Sequence, residues 1–281
     1  MGASPPIGLI AGSGGFPFEI ASALKTQGRD VFIVGLRGFM ARNEVLRDID
    51  HAYADMLDPQ RIFGLLRERG VRDVMLAGGV ARPGPMALLS IYSFFRNREE
   101  LKRIVSGGDD RILRGVIRLL EENGFSVIGV DEAAPGLLAA DGVIGRVEVP
   151  ERAMVDIALG LEVIRSLSAF DMGQGVVVAG GRMLAIEGPE GTDAMLERVR
   201  AMQANRRVQL AAPSAILVKA AKKGQDRRVD LPAIGPKTID NAAKAGVIGI
   251  AVVAGDVVLV ERARTIKEAD RRGIFVAGVK A

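Results

Sequence analysis

The chain has no cysteine and no tryptophan, and its 281 residues include only one histidine and two tyrosines. Each absence removes chemistry. Without cysteine there can be no disulfide, no thiolate nucleophile and no Cys-ligated zinc, a composition that suits a reducing compartment. His51 alone cannot supply the two or three imidazoles of a zinc hydrolase or a His-rich binuclear phosphoesterase from a single copy of the chain. A metal that takes part in the chemistry must sit among oxygens, which points to Mg²⁺ or Mn²⁺. Long apolar runs are also missing. Stretches such as residues 247–254 fall well short of the roughly 20 residues that a spanning helix needs. The first residues show no basic stretch leading into an apolar run, so no signal peptide is expected.

What is present fits a pair of ordinary globular domains, the expectation for this length. The 48% hydrophobic content supports well-filled cores, which the shortage of aromatics leaves to Val, Ile, Leu and Ala. Thirty-five glycines imply many tight turns and close backbone approaches. A net charge of +4 is compatible with an anionic lipid surface or a polyanionic ligand and too small to choose between them.

The first half alternates short apolar runs with helical spacing. Residues 7–11, 30–35, 73–77 and 125–130 read as strands, and residues 16–24, 59–69 and 110–123 as helices. That alternation indicates a doubly wound parallel sheet. Near residues 133–150 the texture turns to Ala, Pro and Gly, and a long helix follows over 152–170. Beyond it, residues 176–186 and 251–260 each read as strand–turn–strand on central glycines. Helices follow at 192–205 and 238–244, with Thr192 and Thr238 as N-caps. The expected fold class is α/β: a Rossmann-like parallel-sheet domain over residues 1–133, a linker over 134–152, and a mixed α+β domain over 153–281.

Gly12-Ser13-Gly14-Gly15-Phe16-Pro17 lies between the first strand and the first helix, where a dinucleotide fingerprint would stand. That fingerprint needs a small residue at position 17 and an acidic residue at the end of the second strand. Pro17 and Gly35 stand there instead, which argues against a nicotinamide oxidoreductase. Pro17 reads better as an early helical residue. A glycine-lined helix N-terminus remains a good phosphate seat, although a tight turn with no ligand explains it too. Gly78-Gly79 closes another parallel strand, so both loops would open on one crevice.

Residues 217–232 carry the densest chemistry: Lys219, Lys222, Lys223, Arg227 and Arg228 surround Asp226 and Asp230. The two carboxylates offer hard oxygens to Mg²⁺ and the cations can neutralise phosphate oxygens, the combination that phosphoryl transfer requires. A solvated charge run with i,i+4 pairing is the plain alternative. Residues 187–193 (EGPEGTD) and 107–110 (GGDD) have the same ambiguity, each readable as a helix start with nothing bound.

Together these segments resemble one family, the UDP-2,3-diacylglucosamine pyrophosphatases of the LpxI type in lipid A biosynthesis. The resemblance rests on IAGSGGFP (10–17), GGDD (107–110), FDMGQGVVVAGG (170–181), AIEGPEGTD (185–193) and LVKAAKKGQDRRVDLPAIGPKTI (217–239), in the family's order along nearly the whole chain. One departure is Lys223, where the family often has proline, which implies a looser loop. The resemblance implies Mg²⁺-dependent hydrolysis to UMP and 2,3-diacylglucosamine 1-phosphate (lipid X). It makes Asp226 the essential carboxylate, binding metal or orienting the water, while Asp230 as a second metal ligand rests on the reading of the residues alone. By the same carry-over Lys219 and Gln225 flank the diphosphate as catalytic groups, and Gly12, Ser13, Gly14 and Gly79 hold the UDP end. Lys222, Gln174, Thr192 and Asp193 complete the expected substrate contacts. Residues 86–95 (MALLSIYSFF) could line an acyl trough or sit in a core.

The expected location is cytoplasmic, peripheral to the inner membrane, because substrate and product are both lipids. Nucleic acid is not among the expected partners, and a homodimer is the default for a soluble enzyme. A sugar-nucleotide sensor without turnover is the alternative function; it would need the glycine loops and not the Asp226/Asp230 pair.

Overall fold

The computed structural model describes residues 4–41, 44–80, 109–170, 172–207 and 214–280. Residues 86–95, Gly107 and Gly108 lie outside the described residues. The chain divides into two compact units. One comprises Met1–Ala134 and Asp226–Asp230, the other Pro135–Gln225 and Leu231–Ala281.

The first unit holds β1 (Ile7–Ala11), β2 (Val31–Leu36), β3 (Asp50–Ala54), β4 (Asp73–Ala77) and β5 (Ser126–Val127). They form a parallel sheet in the order β3-β2-β1-β4-β5. The expected parallel sheet is therefore present. Its direction of winding reverses between β1 and β4, the place where such sheets usually take ligands. Residues of β1 and β2 are buried throughout, as strands covered on both faces should be. Helices α1 (Phe16–Thr26), α2 (Pro59–Glu68) and α3 (Asp109–Glu122) lie between strands in the sequence, and α4 (Val130–Ala133) follows β5. Pro17 lies in the first turn of α1, as read. The Asp58 carboxylate caps α2 by accepting the Arg61 N–H.

Two readings change here. β3, an edge strand of sequence DHAYA, was not expected, because its outer residues are exposed and carry no apolar alternation. The strand read at 125–130 is only two residues long, and Val130 instead opens α4.

In the second unit, β6 (Gly142–Val143), β7 (Gly175–Ala179), β8 (Arg182–Ile186), β9 (Ala215–Lys219), β11 (Val247–Val253) and β13 (Phe275–Val279) form one mixed sheet. Its order is β6-β13-β11-β9-β7-β8. Neighbours β13, β11 and β9 are parallel, and the remaining pairs antiparallel. β6 belongs to the segment read as a linker. Strand periodicity is visible in the core. Ala215 and Leu217 of β9 face one cluster with Met195, Leu196 and Val199 of α6 (Gly191–Ala204). Ile216 and Val218 face the opposite cluster with Ile157 and Ile164 of α5 (Ala153–Leu167). α5 approaches so closely at Gly160 that a Cβ there would lie 2.6 Å from Val218 Cγ2.

The hairpin read at 176–186 is present as β7 and β8, turning on Gly180 and Gly181, both at positive φ. Buried Asp156 accepts both turn N–H groups, at 2.9 and 2.6 Å. The second hairpin reading fails. After β11 the chain leaves the sheet, and β12 (Val258–Leu259) pairs instead with β10 (Ala233–Ile234) in a separate parallel ribbon. Nor does Thr192 cap α6, which begins one residue earlier. Thr238 sits inside α7 (Pro236–Lys244), where its hydroxyl accepts the Gly235 N–H at 3.3 Å. α8 (Arg262–Arg272) precedes the last strand.

Candidate functional site

In the first unit the two glycine loops meet directly. Gly12 N–H donates to Ala77 O, and Ser13 and Gly79 exchange both backbone hydrogen bonds at 2.8 and 2.9 Å. The Ser13 hydroxyl adds a third bond to Gly79 O at 2.8 Å. This contact is so tight that a Cβ on Gly12 would lie 2.5 Å from Gly79 O, and one on Gly78 2.7 Å from Ser13 O. Those two glycines are required by backbone approach alone. Gly14, at φ +94°, and Gly15, which precedes α1, face open space. Of the loop's glycines, these two are the ones left exposed at the helix start, where N–H groups suit an anion.

The turn Asp226–Asp230 also belongs to this unit, and a neighbouring glycine makes room for it. A Cβ on Gly129 would stand 3.1 Å from Arg228 Cα. Val229 packs on the unit's apolar core, and Arg227 pairs with Asp131 at 3.5 Å. Arg228 grips Asp226 as a fork, with Nε 2.9 Å from Oδ1 and Nη2 2.7 Å from Oδ2. The Arg228 backbone N–H donates to Oδ1 as well, at 3.1 Å. The third guanidinium nitrogen, Nη1, reaches Glu121 of α3 at 2.7 Å. The guanidinium holds the Asp226 carboxyl below the usual carboxylate range, against the opposing effect of burial. Asp230 is tied to the same turn by its N–H, which donates to Asp226 O at 3.1 Å.

In the second unit the candidates gather at the end of β9. Strand periodicity turns Lys219 to the face covered by α6, where it is 4% exposed. Its ammonium donates to Thr192 Oγ1 at 2.6 Å and Ala233 O at 3.3 Å, and lies 3.6 Å from Glu187 Oε2. Asp193 pairs with Lys237 at 2.8 Å, and the Gln174 carbonyl accepts the Ala220 N–H at 3.0 Å. Lys222 N–H donates to Gln225 Oε1 at 2.9 Å, which fixes the amide's orientation. Gln225 Nε2 is then buried without an acceptor. The N–H of Lys223 donates to Ser168 Oγ at 3.1 Å. The residue at the position where proline is frequent thus donates through the one group proline lacks. A groove of about 640 Å³ in this unit is bounded by Ala233, Gly235, Lys237, Asp240, Arg264 and Glu268.

Glu187 was not singled out from sequence, yet it is the buried carboxylate of this group. Its motif, EGPEGTD, reads both as a loop that sets carboxylates or N–H groups on a ligand and as a plain helix start. The clue lay elsewhere: Gly173 and Gly175 are both needed to seat it, as their Cβ atoms would lie 1.8 Å from Glu187 O and 2.4 Å from its Oε2.

Among the described residues no three acidic or imidazole side chains converge as an all-protein metal cage. Mg²⁺ does not need one. It commonly binds one or two carboxylates together with substrate phosphates. Arg228 occupies three of the four lone-pair directions of the Asp226 carboxylate and leaves one on Oδ2. That donor fits a cation shared with a diphosphate.

Comparison with known proteins agrees along the chain. The family model of the LpxI N-terminal domain matches residues 6–137, and that of the LpxI C-terminal domain residues 140–277. UDP-2,3-diacylglucosamine pyrophosphatase LpxI of Caulobacter vibrioides is 38% identical over 273 residues, covering 97% of each chain. Solved structures are far more distant. The biotin carboxylase domain of Hydrogenobacter thermophilus 2-oxoglutarate carboxylase shares 14% identity at a TM-score of 0.26, over 71% of this chain and 41% of that one. A GalE-like L-threonine dehydrogenase from Cupriavidus necator shares 10% at 0.32, over 99% and 86%. Likenesses that weak carry no argument. Two domain models in sequence order and one near-full-length relative point the same way: the chain belongs to the LpxI family.

Proposed function

We propose that this protein is a hydrolase of lipid A biosynthesis that cleaves the diphosphate of UDP-2,3-diacylglucosamine, giving UMP and lipid X. The observation that carries this reading is 38% identity over 97% of both chains to a relative named for that substrate. Water adds to one phosphorus, the P–O bond to the bridging oxygen breaks, and the other phosphate leaves. Charge then spreads over non-bridging oxygens, which positively charged and N–H donors stabilise.

The residues divide this work by chemistry. Asp226, pinned by Arg228, is a fixed, ionised carboxylate that orients the attacking water or holds Mg²⁺, with Asp230 as the second ligand. Mg²⁺, or Mn²⁺ in its place, supplies charge neutralisation and a more acidic bound water. Gln225 Nε2, buried with no protein acceptor, is a donor for a diphosphate oxygen, and Lys222 supplies positive charge. Ser13 and the open Gly14 N–H, with Gly12 and Gly79 shaping their loop, receive the UDP end. Gln174, Thr192 and Asp193 complete the contacts. No helix among the described residues is long and apolar enough to cross a membrane. Because substrate and product are both lipids, the proposed contact is peripheral, at the cytoplasmic face of the inner membrane.

UMP release from UDP-2,3-diacylglucosamine, with Mg²⁺ and then EDTA, tests the reading on wild type and Asp226→Ala. Metal-dependent release that the substitution abolishes is the expected result. Release unaffected by the substitution would move the catalytic carboxylate elsewhere. No release with any divalent metal would leave a sugar-nucleotide sensor as the better account.

A further inference from the structure

Lys219 has the wrong surroundings for a direct phosphate ligand. An ammonium has three donors, and three protein oxygens already surround this one: Thr192 Oγ1 at 2.6 Å, Ala233 O at 3.3 Å and Glu187 Oε2 at 3.6 Å. Only 4% of the residue is exposed. Reaching a ligand directly would mean giving up a buried partner, which is costly for a charge.

Thr192 is placed differently. Its oxygen accepts from the ammonium, so its own O–H proton is free to point elsewhere, and no described protein group accepts it. A hydroxyl that accepts from a cation becomes a stronger donor in turn. It also sits in the first turn of α6, where backbone N–H groups favour negative charge. Behind the ammonium stands Glu187, itself buried, whose Oε2 accepts no hydrogen bond and meets Lys219 as its opposing charge. Two glycines, Gly173 and Gly175, are spent on seating it. The other carboxylates of this region are engaged elsewhere: Glu190 with Arg198 at 2.5 Å and Asp193 with Lys237 at 2.8 Å.

We infer that Glu187 and Lys219 are positioning residues that turn the Thr192 hydroxyl proton toward an anionic oxygen of the ligand. Glu187 keeps the buried amine charged, the ammonium fixes the hydroxyl, and Thr192 alone of the three touches the diphosphate. The ligand's identity rests on the reading proposed above.

The test is the steady-state rate of UMP release by the full chain carrying Thr192→Ser, Thr192→Val, Lys219→Met, Glu187→Gln and the Thr192→Val/Lys219→Met pair, with folding checked by circular dichroism. Loss of one aimed donor lowers kcat roughly 100-fold, so Thr192→Val should fall by that much, with KM within about threefold. Thr192→Ser should stay within about fivefold of wild type, by the same reasoning. The double variant should be no slower than Lys219→Met alone, because residues of one relay do not add. Glu187→Gln removes the counter-charge of a buried ammonium, so the basic limb of the pH–rate profile should move to lower pH.

A purely structural Glu187 would lower the melting temperature and leave that limb in place, which would overturn the relay. If Glu187→Gln does not fold, the Thr192/Lys219 cycle decides alone, and additive losses or a Thr192→Val rate near wild type would equally overturn it. Absence of UMP release from wild type overturns the reaction itself and the relay with it, and is seen before any variant is assayed.

Discussion

Replacing Arg228 by glutamine removes the fork from Asp226 and the arm to Glu121 together. Both contacts are partly exposed: the Arg228 side chain is 37% accessible and that of Asp226 20%. Exposed ion pairs contribute about 0.2–1 kcal/mol each, and a two-point fork lies at the upper end. The loss should therefore be about 1 kcal/mol for the fork and a few tenths for the Glu121 arm. For a chain of this size that lowers the melting temperature by about 2–5 °C. The pH dependence is the sharper signature. Asp226 is held below its ordinary value of 3.8, chiefly by hydrogen bonds from Arg228. A depressed carboxyl contributes stability that is fully present above its unfolded pKa and lost as pH falls through the folded one. The difference between wild type and Arg228→Gln should then be largest above about pH 4 and shrink below it. Urea titrations at pH 7, 4 and 3 measure this directly. In UMP release the acid limb of the variant should lie at higher pH than that of wild type. A stability difference that is the same at all three pH values would refute the argument that Arg228 sets the Asp226 titration. Arg228→Lys, which keeps charge without the fork, should recover only part of the effect.

Two further outcomes concern the platform of the second unit. Gly249 of β11 lies beneath Phe275 of the adjacent strand, and a Cβ there would lie 1.9 Å from the ring. Gly249→Ala should cost about 1–3 kcal/mol by overpacking, read by chemical denaturation, and much less in a Phe275→Leu background. Asp156→Asn keeps only one acceptor oxygen for the N–H groups of Gly180 and Gly181. It should cost about 1–3 kcal/mol, with faster hydrogen exchange at those two amides.

Much of the fold was legible because its central strands are continuous apolar runs punctuated by glycine. Residues 7–11 and 73–77 are strands with the bounds read, and the 59–69 helix ends one residue early. What was missed lacked that signal. β3 lies at a sheet edge, half exposed, and begins with Asp50 and His51. The failed hairpin after β11 has the same local grammar as the true one after β7. Gly-Gly at positive φ reverses the chain in the true hairpin, whereas in 254–257 Gly255 is the only glycine and the chain runs on to pair β12 with β10. Tertiary partners decided between the two. Among the site residues, Asp226 stood out in the sequence as a carboxylate among cations and its clamp did not, because no spacing rule links Glu121 to Arg228 across more than a hundred positions.

Glycine is the residue whose meaning sequence leaves most open, and the first loop shows how structure separates its roles. Gly12 has no room for a side chain, with Gly79 O 2.5 Å from a notional Cβ. Gly15 has open space there and an ordinary right-handed backbone, φ −85° and ψ −19°. If both glycines served only the turn, alanine at either would disturb it. The geometry says otherwise. Gly12→Ala must push apart the Ser13–Gly79 bridge and should lose about 1–3 kcal/mol. Gly15→Ala meets nothing and should be neutral or gain about 0.4–1 kcal/mol by restricting the unfolded chain. Its effect should appear only when something occupies the space before α1. If a phosphate of UDP sits there, the added methyl meets it, and calorimetric titration with UDP should show at least a tenfold loss of affinity in a protein no less stable than wild type. UDP affinity unchanged in Gly15→Ala would place the nucleotide elsewhere and leave this loop as a tight turn between strand and helix.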